Sequence, residues 1–187
     1  WTRYYSQDWS LEKTPQYTSL EMIALATGLP RPQRIEAEIP PAADEIWLQP
    51  MTSDSRKTWP IENWIELAQI LEQSKYKIRY LWAPSEVVWA QGVFGPQTRA
   101  TRFHEMREQK SLCRLLISGD TSVLHFAVLE KIPVAGLFLG PADVHRTPPF
   151  QTGALLLRPD QSCYPCEHRG HCGQDHERGY PCHQDLS

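Results

Sequence analysis

From Glu45 onward the chain alternates short apolar segments with stretches of helical period, and that alternation leaves few folds open. Residues 45–51 (EIWLQPM) have the length and apolarity of a buried strand. Pro60 then stands at the first turn of a helix, with Trp64, Leu67, Ala68 and Leu71 at helical spacing. Residues 76–82 (YKIRYLW) give the next strand and 85–93 the next helix. A short strand over 115–117 runs into Ser118-Gly119-Asp120, followed by a helix over 121–129. Residues 134–139 (VAGLFL) form a strand closed by Gly140-Pro141, and 155–157 a last short one. Strand and helix repeated in this way predict an α/β fold, a Rossmann-like parallel sheet with helices on both faces. Ligands of such sheets sit at the carboxyl ends of the strands. The loops expected there are 52–57, 118–125 and 140–147.

The chain before Glu45 is different in kind. Residues 1–20 are polar and aromatic without a clear period and read as a linker plus the start of a helix. Residues 19–29 (SLEMIALATGL) form that helix, with Ser19 as N-cap, Met22, Ile23 and Ala26 on one face, and Gly28 as the exit. Four prolines (30, 32, 40 and 41) then exclude regular structure and mark a boundary. The organisation expected is an inter-domain linker and helix over 1–43, a Rossmann-like α/β domain over 44–160 and a cysteine-rich finger segment over 161–187.

Composition removes several classes of function. The 187 residues are 41% hydrophobic and 22% charged, too apolar for a disordered chain. A net charge of -3 does not favour nucleic acid or an anionic membrane as the general partner. The longest apolar run, 132–139, is far too short to cross a bilayer and contains Pro133. No basic segment followed by an apolar stretch opens the chain, so no secretory signal is expected. A start at Trp1 and a stop just after a cysteine cluster lead us to expect a piece of a longer protein.

Of five cysteines, Cys113 stands alone in an apolar stretch, whereas Cys163, Cys166, Cys172 and Cys182 crowd into the last segment. A C-x2-C pair followed by two more thiols has the spacing of a small tetrahedral metal knuckle, with zinc the default ion and iron the alternative. His168, His171, His176 and His183 lie in the same stretch as substitute ligands. Reduced thiols or disulfides remain the alternative. Arg169 and Arg178 are outnumbered there by Glu167, Asp175, Glu177 and Asp185, which argues against a nucleic-acid finger.

Two loops have the makings of an anion site. Thr52-Ser53-Asp54-Ser55-Arg56-Lys57 combines hydroxyls, a lysine and a following helix start. Taken alone, it reads as a polar surface loop with an N-cap. Ser118-Gly119-Asp120-Thr121-Ser122 is small and polar between a strand and a helix, and His125 follows Thr121 by four residues, on the same helix face. The glycines match neither a dinucleotide fingerprint nor a Walker motif.

With these residues in view, the order K-x-W-P (57–60), D-T-S-x-x-H (120–125), L-F-L-G-P (137–141) and the cysteine cluster resembles glycosyltransferase family 9, the ADP-heptose:lipopolysaccharide heptosyltransferases and their relatives. The resemblance covers roughly 44–187. It implies the C-terminal, donor-binding half of a two-domain GT-B enzyme. By position, Thr52, Ser53 and Lys57 would hold the donor phosphates. Asp120, Thr121, Ser122 and His125 would surround the diphosphate and sugar, and Glu86 would hold the ribose. Met106 corresponds to a nucleotide-contacting methionine. Ser122 departs from the motif glycine, and the stretch 105–120 is shorter than in the family.

The resemblance further implies inverting transfer from a nucleotide sugar such as ADP-heptose to a glycan or lipid-linked acceptor, with no cofactor required. The general base would lie in an N-terminal domain outside this chain, so no catalytic residue is assigned. A cytoplasmic location is expected, with peripheral contact to the inner membrane following only from a lipid-linked acceptor; the sequence shows no amphipathic anchor. The alternative is a degenerate relative serving as a metal-stapled scaffold.

Overall fold

In the computed structural model, residues 18–145, 147–160, 164–166 and 183 are described. Five parallel strands form the main sheet: β2 (Glu45–Gln49), β3 (Lys77–Tyr80), β4 (Cys113–Gly119), β5 (Val134–Leu137) and β7 (Leu155–Leu157), in the order β3-β2-β4-β5-β7. The order reverses direction at β2, whose two neighbours are β3 and β4. This is the doubly wound arrangement in which a crevice opens between the carboxyl ends of the two strands at the reversal.

Alternation along the strands divides the core between two faces. On β2, Ile46 and Leu48 join Trp59, Trp64 and Ala68 in one layer, the last two from α2 (Ile61–Gln73). Trp47 points the other way, into a layer with Leu116, Phe138 and the Leu124, Ala127 and Val128 of α5 (Ser122–Leu129). α4 (Phe103–Gln109) adds Met106 to that second layer. The expected helices on both faces are therefore present. α3 (Val87–Phe94) follows a short 3-10 turn, Pro84–Glu86, instead of starting at residue 85.

The structure corrects the reading of the leading segment. Thr18, not Ser19, caps α1 (Ser19–Thr27): its hydroxyl accepts from the Glu21 N–H at 3.3 Å while the Glu21 carboxylate accepts from the Thr18 N–H at 2.9 Å. This reciprocal pair fixes the helix start more firmly than one hydroxyl would. The apolar face expected of this helix is not buried; among its residues only Ala24 is. The proline-rich connector is not wholly irregular either. Ile35–Glu36 (β1) pairs in parallel with Gln151–Thr152 (β6), because the prolines flank these two residues and leave their N–H groups available. Gln151 is buried and ties the small sheet to the large one, accepting from the Val134 N–H at 3.0 Å and donating to the Ile132 carbonyl at 2.7 Å.

β4 is longer than expected, running seven residues instead of three. The short stretch before Asp120 still completes both a helix and this strand, joined by a single 3-10 turn, Lys110–Leu112. Met106 is 2% exposed inside the core and so is not presented to a ligand, which corrects the expectation that it contacts nucleotide. Cys113 is also fully buried, and burial pushes its thiol up to about 12. It is a packing residue and not a nucleophile.

Trp64 is 1% exposed and packs edge-on against Trp59 at 5.5 Å. Trp64→Ala should lower unfolding free energy by about 3–5 kcal/mol, as for other large-to-small aromatic truncations. Urea denaturation checks this, with a lower midpoint at unchanged slope as the expected result.

Candidate functional site

The crevice between β2 and β4 is lined by polar groups in the positions expected for a ligand site. Both strands end in small or polar residues, and Gln49 and Ser118, both buried, are partners in the sheet register. The Gln49 side chain is 4% exposed and serves both strands. Its carbonyl oxygen accepts from Ser118 Oγ at 2.9 Å and from Thr121 Oγ1 at 3.2 Å, and its amide nitrogen donates to the Met51 carbonyl. Burying an amide demands such partners, and here they lock the two loops together at their roots.

Thr121 is also the N-cap of α5, accepting from the Leu124 N–H at 3.4 Å. The first turn of such a helix offers backbone N–H groups and the positive end of its dipole to an anion. Ser122 is exposed at this first turn. No left-handed backbone is recorded for it; among the described non-glycine residues only Lys75 and Lys131 have positive φ. Serine is therefore accommodated where the family motif has glycine.

The first loop is folded on its own hydroxyls and carboxylate. Asp54 caps the turn Ser55–Lys57, accepting from the Arg56 N–H at 3.0 Å, and it grips the Arg56 guanidinium through both oxygens. Thr52 Oγ1 donates to the Asp54 carbonyl at 2.7 Å and lies 2.8 Å from Thr58 Oγ1. Ser53 is exposed on the loop. This geometry presents Lys57 to the neighbouring strand end.

There Lys57 Nζ donates to Asp120 Oδ2 at 2.9 Å. Asp120 Oδ1 lies 3.4 Å from His125 Nε2 and accepts from Thr147 Oγ1 at 3.5 Å. One carboxylate thus gathers groups from all three strand-end loops. Its side chain is 12% exposed and that of Lys57 19%, while His125 is 41% exposed and open to an arriving ligand. Burial alone would raise the Asp120 carboxyl. Hydrogen bonds with His125 and Lys57, helped by their charge, outweigh it and hold the group below its ordinary value.

Two glycines permit this closeness. A Cβ on Gly119 would come within 2.8 Å of Thr52 Cγ2, so the two loops touch only because that atom is missing. Gly140 has φ 54°, and a Cβ there would meet the Arg56 carbonyl oxygen at 2.5 Å. The Arg56 carbonyl is contacted further by His183 Nε2 at 3.0 Å, and the Gly140 carbonyl accepts from the Cys166 N–H at 3.2 Å. The His183 imidazole is pushed down by burial, against the opposing effect of that hydrogen bond.

Of the other expected residues, Glu86 lies beyond β3, next to the crevice strand, and its carboxylate accepts from the Ala83 N–H at 2.7 Å. It is not drawn into the Asp120 cluster. Cys166 is buried; Cys163, Cys172 and Cys182, with His168, His171 and His176, lie outside the described residues. Among the described residues no three His, Cys, Asp or Glu side chains come together in a metal-binding group. Sequence reasoning missed Gln49, whose signal was a glutamine ending an otherwise apolar strand, and Thr147, which only the return of the 140–147 loop brings to Asp120.

Because the folded Asp120 carboxyl titrates below its unfolded counterpart, its stabilising effect is complete above about pH 4 and is lost as pH falls through the lower folded value. Asp120→Asn should lower unfolding free energy at neutral pH by about 1–3 kcal/mol. That deficit should shrink on acidification, as read from denaturation midpoints of both proteins across pH 3–7.

No curated protein matches the sequence. Among solved structures, E. coli heptosyltransferase WaaC with ADP is 20% identical, with a TM-score of 0.59 over 76% of this chain and 49% of that one. The E. coli ADP-heptose LPS heptosyltransferase II is 17% identical, with a TM-score of 0.54 over 75% and 43%. A glycosyltransferase of family 9 from Veillonella parvula is 19% identical, with a TM-score of 0.53 over 74% and 38%. At these identities the likeness shows the fold, and the chain spans about half or less of each structure's length. The family model described as glycosyltransferase family 9 (heptosyltransferase) matches residues 17–175, most of the sequence. The chain therefore belongs to glycosyltransferase family 9.

Proposed function

We propose that this chain is the donor-binding half of a glycosyltransferase that moves a sugar, with inversion, from a nucleotide diphosphate to a glycan or lipid-linked acceptor. The observation that carries this reading is the Asp120 cluster, which draws Lys57 and His125 together in the crevice between β2 and β4. Such a crevice suits a nucleotide, and a lysine beside a helix start suits its phosphates. The structure of E. coli WaaC contains ADP, and another contains ADP-2-deoxy-2-fluoro heptose. An ADP-heptose-like donor is the corresponding proposal here.

In this reading the chemical problem is the leaving group. As the bond from the anomeric carbon to the diphosphate breaks, negative charge grows on the phosphate oxygens. Lys57 and the first-turn N–H groups after Thr121 are fixed in advance where that charge develops, so little reorganisation is needed. Thr52 and Ser53 add hydroxyl donors from the opposite loop, and His125 donates to a phosphate oxygen. Asp120 acts as the positioning group, holding Lys57 and His125 while the site is empty. Glu86, at the end of the adjacent strand, is the proposed partner of the ribose.

Residues 44–160 would form the donor unit, 1–43 the lead from another domain and 161–187 a finger segment. α1 leaves Leu20, Ile23 and Leu25 between 42% and 54% exposed, and Leu29 just beyond it is 62% exposed, an apolar surface of the kind a second domain covers. That domain would supply the base that deprotonates the acceptor hydroxyl. No helix among the described residues is long and apolar enough to cross a membrane.

Calorimetric titration should give selective binding of ADP over UDP. Lys57→Ala should weaken ADP binding by roughly tenfold to a hundredfold, the range for a lost charge-assisted hydrogen bond. Equal binding of ADP by wild type and variant would refute the assignment of Lys57. The chain alone should transfer no sugar.

A further inference from the structure

Loops ordinarily run over the surface, because buried backbone without a hydrogen-bond partner is costly. The loop after β5 departs from that habit: Ala142 is 2% exposed, Asp143 6% and Val144 7%. Part of its cover comes from further along the chain. Tyr164 packs against the core layer that holds Ala142 and Val144. Its hydroxyl donates to the Ala142 carbonyl at 2.7 Å and accepts from the Val144 N–H at 3.2 Å. One hydroxyl, used as donor and acceptor together, thus satisfies two backbone groups of a single loop.

His183 serves the first loop in a similar way. It is 6% exposed, and its Nε2 lies 3.0 Å from the Arg56 carbonyl oxygen. A carbonyl only accepts, so Nε2 carries the proton. The Arg56 carbonyl also abuts Gly140, whose own carbonyl accepts from the Cys166 N–H at 3.2 Å. Two paths lead from these contacts to one carboxylate. Next to Arg56 is Lys57, which donates to Asp120 at 2.9 Å. Beyond Val144 is Thr147, whose N–H donates to the Asp143 carbonyl at 3.1 Å and whose hydroxyl reaches Asp120 at 3.5 Å.

We propose that Tyr164 and His183 are positioning residues, a clamp that holds Lys57 and Thr147 on Asp120 through the backbone of their loops. Each fixes the main chain close to a residue that touches the carboxylate. Without the clamp, Ala142, Val144 and Arg56 would lose partners in a buried place, and their loops would shift to regain them. That these loops receive a nucleotide donor rests on the reading above. The clamp itself belongs to the crevice before any ligand arrives.

The test compares the full chain with a variant carrying Tyr164→Phe and His183→Leu. Carbon-13 NMR follows the titration of the Asp120 carboxyl without nucleotide. Lys57 and His125 hold that carboxyl down, so a loosened clamp should move it up toward the ordinary carboxylate value. Lower global stability alone would leave the folded-state titration in place. His183→Gln keeps an N–H donor in reach of Arg56 and should titrate like the wild type. Calorimetry then shows the consequence for ADP. The clamp variant should bind it roughly tenfold more weakly. On a Lys57→Ala background the same substitutions should cost little more, because both act through one cluster. Tyr164→Phe alone keeps the ring and its packing, and carries both readouts if the double variant does not fold. An unshifted Asp120 titration, wild-type ADP affinity in the clamp variant, or a full tenfold loss on the Lys57→Ala background would overturn the proposal. Wild-type protein that binds no ADP would refute the donor reading instead, and the Asp120 titration would still decide the clamp.

Discussion

Lys57 and Asp120 meet at 2.9 Å because two adjacent parallel strands end at the same level and send their loops toward each other. Much of the site depends on that contact. The strands bring the loops near, Gln49 ties their roots, and the bare backbone of Gly119 lets Thr52 pass without collision. Gly140 does the same for Arg56 on the other side. A side chain at either glycine would push the first loop away from the second and separate the lysine from its carboxylate.

The pair is held in a nearly closed environment, and the balance of forces there explains its form. Isolated, a carboxylate as buried as Asp120 would resist ionisation. Its two basic partners, Lys57 and His125, reverse that preference, so the crevice keeps an ordered cluster around the carboxylate before any ligand arrives. In the proposed reading the cluster is pre-arranged: Lys57 has donors left over, His125 is partly open, and the helix after Thr121 adds its N–H groups. An arriving diphosphate would then meet fixed dipoles, with few groups left to be ordered at its own expense.

The fold was legible wherever burial enforces a period. The apolar run ending at Gln49 and the helical spacing of Trp64 and Ala68 identified their elements, because a sheet covered on both faces leaves little freedom to its residues. Legibility fell where tertiary contacts outvote local pattern. Ile35 and Glu36 pair with Gln151 and Thr152 across more than a hundred residues, and the intervening prolines concealed it. Met106 matched a family position but is core, since motif position does not report burial. In the site, Lys57, Asp120, Thr121 and His125 were visible as motif residues. Their convergence on one carboxylate, and the parts of Gln49 and Thr147, arise only from the meeting of loops distant in sequence. The contacts of Tyr164 and His183 with these loops were equally hidden, because nothing in a cysteine-rich segment tells which loops it folds against.

The central claim is that a nucleotide diphosphate is held between the two strand ends gathered by Asp120. Hydrogen–deuterium exchange of the chain with and without saturating ADP tests it most directly. The account predicts slowed exchange in two separate segments, 52–58 and 119–125, with α1 and α3 unchanged. Bound ADP that leaves both segments exchanging as before, or protects only one of them, would contradict it.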